Sequence, residues 1–163
     1  MSELAIAGVP LAEVVTLVVL LAQAVASSGM CGLIWFVQLV HYPLFSAHAG
    51  DRSRDFAAEN QVRTGRVVIP FMAVEAAAAL AIALWPPAGI SRGLAVVSLA
   101  VLAVAWASTF LVQVPLHARL AREGHAPDAV AALVRSNWIR TVAWTARGVL
   151  AAWMLRAALP LTW

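Results

Sequence analysis

The sequence predicts an all-α protein, a four-transmembrane-helix bundle with two polar cytoplasmic loops that contain short amphipathic helices. Three observations predict it. Of the 163 residues, 63% are hydrophobic and 12% charged, whereas soluble domains carry about 25% charged residues; mean hydropathy is +0.86. The apolar residues fall into four runs, each long enough to cross about 30 Å of hydrocarbon. The arginines are unevenly shared. Arg52, Arg54, Arg63, Arg66, Arg119, Arg122, Arg135 and Arg140 crowd two long connections, while Arg92 and Arg156 stand on the opposite side. The positive-inside rule then puts both long loops in the cytoplasm and both termini outside. The whole chain, residues 1–163, reads as a single integral membrane domain with spans at about 11–40, 67–85, 94–114 and 138–159.

Leu11 to Val40 is the first span. Straight, its thirty residues would reach about 45 Å, so the helix must tilt, kink or protrude. Ser27-Ser28-Gly29 is the expected bend, and Ala24, Ser28 and Gly32 form a small-xxx-small stripe for a close neighbour. The run is too long for a signal peptide's apolar region and lacks a basic start, so it reads as a retained helix. His41-Tyr42-Pro43 should end it, because the residue before a proline resists the α region. The polar stretch Phe45–Arg66 holds His48, Asp51, Asp55, Glu59 and Asn60 and reads as a surface helix running into the second span. That span covers Val67 to Trp85. Pro70 lies near its start, where a missing N–H is best tolerated. Glu75 lies about 13 Å inward of Arg66. Trp85-Pro86-Pro87-Ala88-Gly89 closes it as a tight loop.

Leu94 to Val114 is the third span, followed by Pro115 and by His117, which lies four residues past Gln113 on a shared face. Gly124 breaks the next polar segment, and Pro127-Asp128 opens a short helix through Val134. Trp138 to Leu159 is the fourth span, ended by Pro160, with Trp153 and Trp163 near the far interface. No internal repeat is evident, although each half pairs a span, a long polar loop and a second span.

Function depends on what is polar inside these spans. Asn137, Arg140, Trp144 and Arg147 recur at spacings of three and four and share one helix face. Arg147 lies about 15 Å deeper than Asn137. Depth sorts the polar residues into two layers. Gln38, His41, His48, Asn60, Arg63, Arg66, Gln113, His117, Asn137 and Arg140 make an interface layer. Glu75 and Arg147 make a deeper one, which Ser28 and Thr109 are expected to approach. A Glu75–Arg147 pair follows, because either charge facing lipid alone would cost about 2.5–3.5 kcal/mol. The pair reads either as a staple between helices or as part of a polar pocket, closed outside and open to the cytoplasm. The substrate-binding candidates are Gln38, Glu75, Gln113, Asn137, Trp144 and Arg147. Trp144 is placed to stack on a flat ligand or on an arginine.

Other chemistries are weaker. His41, His48, Glu75 and His117 have metal-ligating types, but no Glu-x-x-His or His-x-x-x-His pair occurs, so no metal ligand is assigned. His41 and His117 flank prolines at span ends, which is poor geometry for haem, and no cofactor is assigned. His125, beside Gly124 and Pro127, reads as an exposed loop residue. Cys31 lies in an apolar run and reads as packing. Nucleic acid is not an expected partner despite a pI near 10.4, because membrane topology explains the arginines. The expected partners are the bilayer, a small apolar ligand, and a second copy or another membrane protein. All eleven basic residues are arginine, which with the alanine content suggests a GC-rich bacterial genome and an inner-membrane location.

The run Val114-Pro115-Leu116-His117-x-x-Leu120, followed by Asn137-Trp138-Ile139-Arg140-Thr141, resembles the small four-helix membrane proteins grouped as DUF1772, which include anthrone oxygenase-like proteins. His41-Tyr42-Pro43-Leu44-Phe45 and the stretch from Pro70 to Glu75 look similar too. The resemblance covers most of the chain. His117 stands where the family typically carries asparagine. The resemblance implies an oxidoreductase or oxygenase that oxidises flat aromatic molecules with O₂ and no obvious cofactor. In that reading His117 or His41 is a general base and Arg140 and Arg147 stabilise an enolate or phenolate. Together, His117, His41 and Arg140 are the catalytic candidates. Gln113 and Asn137 orient the substrate. The alternative is a non-catalytic accessory subunit of a membrane complex, with Glu75–Arg147 a structural pair and Arg63 and Arg66 facing anionic lipid.

Overall fold

The computed structural model describes residues 5–6, 9–45, 47, 50 and 52–159. It is all-α apart from a two-residue antiparallel pairing of β1 (Ala5–Ile6) with β2 (Val9–Pro10). Four long helices follow: α1 (Leu11–Phe45), α2 (Ser53–Leu84), α3 (Arg92–Glu123) and α4 (Pro127–Ala158). Among the described residues α1, α2 and α3 are long and apolar enough to cross a membrane. Helix α4 is as long as α2, but Arg140, Arg147 and Arg156 reduce its hydropathy.

Neighbouring helices pack in the cyclic order α1, α2, α3, α4. The diagonal pairs are α1 with α3 and α2 with α4, whose backbones do not approach. The interior joins Met30, Ile34, Met72, Leu102, Leu133 and Trp144 in one cluster and Leu20, Ile82 and Met154 in another. The outside is apolar as well: Val18, Val25, Ile69, Leu111, Val142 and Val149 are all well over half exposed. A soluble protein rarely exposes so continuous an apolar surface.

Helices α1 and α3 run through the prolines that were expected to end them. Each first opens a π turn, Val37–His41 in α1 and Thr109–Gln113 in α3, closed by an N–H five residues on from its acceptor. Tyr42 N–H donates to Val37 O, and Val114 N–H to Thr109 O. Pro43 and Pro115 come next. A proline has no N–H and crowds the carbonyl four residues back, and the wider turn accommodates it without ending the helix. The two turns are offset by 72 residues, the separation that also divides Glu75 from Arg147. The two halves thus repeat structurally where the sequence suggested only a shared layout.

Several local expectations change. The helix is regular at Ser27-Ser28-Gly29, so the irregularity of α1 lies at Val37–His41. Ala24, Ser28 and Gly32 are not a packing stripe: Ser28 and Gly32 are exposed, and a Cβ on Gly32 would meet nothing within 4 Å. Gly29 makes the close approach instead, since a Cβ there would lie 2.7 Å from the Phe71 ring. The surface helix at Ser53 does run into the second apolar run, without a break. That makes Pro70 an interior residue of α2, on its exposed side. Likewise the short helix at Pro127 and the run from Trp138 are one helix, α4. Pro160 and Trp163 lie outside the described residues.

The ends are fastened by tight turns. Ser91 caps α3, accepting from Leu94 N–H at 3.2 Å. Gly124 follows α3 with φ +83°, and its bare Cα lets the chain close on α2, where a Cβ would come 2.7 Å from Ser53 Oγ. His125, exposed as expected, donates its backbone N–H to Ser53 Oγ at 3.0 Å. Arg119 spans Glu123 and Asp128 at 2.7 and 2.6 Å, and its hydrogen bond to Asp128 holds that exposed carboxyl below its usual range.

Candidate functional site

The recurrence along α4 resolves as one inward face: Asn137, Arg140, Trp144 and Arg147 are all buried. Two polar clusters form on it, one around Arg147 and one around Arg140.

The deep cluster draws on all four helices. Arg147 on α4 reaches across the bundle to Glu75 on α2, its Nε donating to Oε1 at 2.7 Å and its Nη2 to the same oxygen. Ser27 on α1 donates to the other carboxylate oxygen at 2.7 Å. Arg147 Nη1 donates to Ser98 O on α3 at 3.0 Å and to Ser98 Oγ, and Nη2 donates to Gln23 Oε1 on α1 at 3.2 Å. Gln23 in turn donates to Met154 Sδ at 3.5 Å. Every nitrogen of the guanidinium is thus engaged, and both charged side chains have no solvent exposure. The sequence placed Glu75 and Arg147 together and the structure brings them together. It named Ser28 and Thr109 beside them, and neither is there. Ser28 faces out, while Thr109 donates to Ala105 O of its own helix at 2.8 Å. Gln23, Ser27 and Ser98 fill those places. Gln23 and Ser27 stand four apart, the spacing of a shared face, which is the signal that marks them.

The upper cluster sits where α1, α3 and α4 meet. Gln38 donates to Val134 O at 3.1 Å and accepts from Asn137 Nδ2 at 3.0 Å and Thr141 Oγ1 at 3.4 Å. Arg140 Nη1 donates to Asn137 Oδ1 at 3.2 Å and to Tyr42 Oη at the long limit of 3.5 Å. Tyr42 Oη also lies 2.9 Å from His117 Nε2, with the proton's side set by the imidazole tautomer. Tyr42 is therefore held between a guanidinium and an imidazole, with Phe45 packed edge-on against both rings. Gln113 Nε2 donates to Ser136 Oγ at 2.8 Å. So Gln38, Asn137, Arg140 and His117 come together, Gln113 lies to one side, and Tyr42 and Thr141 join as residues the spacing did not single out.

His41 adjoins this group through Tyr42, ring centroids 6.0 Å apart, without a hydrogen bond to it. It is half-buried, faces Asn60, and packs against Phe36 and Phe45. Trp144 is fully buried, so it is not free to stack on a ligand from outside. Trp35 and Trp138 pair edge to face at 5.7 Å, and Trp35 Nε1 donates to Thr145 Oγ1 at 3.0 Å. Cys31 is half-buried beside the same Thr145, at 3.8 Å. His48, named for the interface layer and among the residues of metal-ligating type, lies outside the described residues, as does Asp51. Among the described residues no group of three His, Cys, Asp or Glu side chains is placed to hold a metal ion.

The two clusters differ in saturation. Around Arg147 each donor has an acceptor. Among the described residues the buried atoms without a hydrogen-bond partner include Arg140 Nε and His117 Nδ1 in the upper cluster, and Gln113 Oε1, His41 Nε2 and Trp144 Nε1 around it. A buried polar atom left unpaired costs about 1–3 kcal/mol, and Arg140 and His117 are the two side chains that bracket Tyr42 Oη. A groove of about 660 Å³ on another side of α4 is lined by Pro43, Val130, Val134, Arg135 and Trp138, and not by Arg140, His117 or Tyr42. Val134, whose carbonyl holds Gln38, is shared between groove and cluster. Comparison with protein families, with characterised proteins and with solved structures yields no match to this chain.

Proposed function

We propose that the chain is an integral membrane protein of four spans whose upper polar cluster binds a small, flat, oxygen-bearing molecule and works on it by acid–base chemistry. The membrane assignment draws on three apolar helices and an apolar exterior. For α4, inward arginines and an outward face of Ile139, Val142, Val149 and Trp153 support a fourth span. The arginine-rich connections lie on the cytoplasmic side in this reading, with both termini opposite and the cluster near the cytoplasmic end. The bacterial inner membrane is its proposed home.

The observation that carries the site is the Tyr42 hydroxyl bracketed by His117 and Arg140, with His117 Nδ1 and Arg140 Nε left open. In this arrangement His117 exchanges a proton with the ligand, Tyr42 connecting it to Arg140. Arg140 stabilises the resulting enolate or phenolate oxygen, and Gln38 and Asn137 fix Arg140's approach. An oxidoreductase or oxygenase acting with O₂ on aromatic or quinone-like substrates, the activity that the motif resemblance to DUF1772 proteins leads one to expect, fits these roles. Glu75 and Arg147 are proposed as a structural pair rather than substrate ligands, since their bonding is already complete. The test is oxygen uptake by the purified protein supplied with anthrone. The wild type should turn it over, and His117→Ala should not while keeping its helical circular dichroism and elution volume. Unchanged turnover in His117→Ala overturns the role of His117.

A further inference from the structure

The internal repeat supplies a comparison that separates what the bundle needs from what its site needs. Shifting the chain by 72 residues lays one π turn on the other and Leu39-Val40-x-x-Pro43-Leu44 on Leu111-Val112-x-x-Pro115-Leu116. Buried Met72, Glu75 and Ala79 of α2 fall on buried Trp144, Arg147 and Ala151 of α4. Equivalent helices lie on the diagonals, as a two-fold relation along the bundle demands. Glu75 and Arg147 are equivalent positions that meet each other across it, so a charge at that level belongs to the architecture.

Arg140 has no such justification. Its equivalent is Val68, which is buried to nearly the same degree, at 9% exposure against 6%. The same position in the same fold is therefore filled by an apolar residue. Arg140 also lacks a counter-charge: among the described residues no carboxylate lies within 4 Å of it, whereas Arg147 has Glu75. Among the described residues its acceptors are neutral, Asn137 Oδ1 and Tyr42 Oη, and its Nε has none. The π turn adds to the asymmetry. Gln38 and Tyr42 turn inward to Arg140, while their equivalents Phe110 and Val114 face outward. An unpaired buried guanidinium is expensive, and guanidinium is the side chain best matched to carboxylate and phenolate oxygens.

We propose that Arg140 is the anchor for a small organic anion, a carboxylate or phenolate, which supplies the missing counter-charge. The proposal rests on the ligand-site reading above and adds the charge of the ligand. It treats the anion as part of the complete protein and the empty protein as strained by an uncompensated charge.

The experiment is thermal unfolding of the full chain in detergent, for wild type, Arg140→Met and Arg147→Met, each alone, with sodium benzoate, or with neutral benzamide at matched ionic strength. Expected are an Arg140→Met midpoint at or above the wild type's and an Arg147→Met midpoint well below it, or no folded protein. Benzoate should raise the wild-type midpoint and leave Arg140→Met unmoved, and benzamide should move neither. An Arg140→Met midpoint lowered as far as that of Arg147→Met overturns the proposal, because Arg140 would then be structural. So does a wild type insensitive to benzoate, or a benzoate shift equal in both proteins. A wild type raised equally by benzamide removes the anion while keeping the ligand site. Destabilisation in Arg140→Met with no shift from either compound removes both.

Discussion

At the scale of single residues, two buried arginines on one helix face opposite demands. Arg147 is fully engaged, and removing either partner of such a pair strands the other charge. Arg147→Ala or Glu75→Ala should each lower stability by about 3–5 kcal/mol. The double replacement Glu75→Leu with Arg147→Met should recover most of that loss, because apolar isosteres commonly replace a buried pair without penalty. Chemical denaturation in detergent checks this, and a double variant no better than the singles contradicts it. The inward face of Asn137, Arg140, Trp144 and Arg147 was legible from spacing alone, because α4 keeps a regular helical period throughout. Ser27 was displaced to Ser28 for a simple reason. One residue is about 100° around a helix, and adjacent serines carry no mark of which faces in. Ser98, a lone polar group in an apolar run, gives no depth signal. Tyr42 precedes Pro43, a position that marks a helix boundary rather than an inward side chain.

At the scale of elements, the π turns decide which side chains reach the cluster. The prolines after them were visible, and proline rules end a helix there. No residue pattern announces that the backbone will widen by one residue and continue. The same limit explains why the surface helix and the second run merged as expected, while the polar segment at Pro127 and the run from Trp138 were divided at residues that look like an interface but stay helical. The turn after α3 makes a separate prediction. Gly124→Ala puts a Cβ at positive φ and within 3 Å of Ser53 Oγ, so it should cost about 1–3 kcal/mol. Gly65→Ala, at a helical glycine with only ordinary contact at 3.7 Å, should be neutral or slightly stabilising. Thermal unfolding of the two variants tests the pair. Equal effects would mean that the docking of Gly124 on α2 does not constrain the fold.

At the scale of the whole molecule, the all-α architecture and the three apolar helices followed from composition and run length. The fourth helix was recognised by its inward charge rather than by hydropathy. The 72-residue repeat was hidden, because the halves share a burial pattern and a backbone irregularity more than residues. The proposed orientation predicts the labelling of single cysteines in a Cys31→Ser background. Ala88→Cys should react with an impermeant maleimide in intact spheroplasts, and Arg54→Cys only after lysis; the reverse pattern would invert the topology. The central claim, that the Tyr42–His117–Arg140 cluster is a ligand site, is tested most directly by native mass spectrometry of the detergent-purified protein. The account predicts a wild type carrying a bound small molecule, lost in both Arg140→Met and His117→Ala variants that remain folded. A wild type that carries nothing, with a spectrum matching those of the two variants, would contradict it.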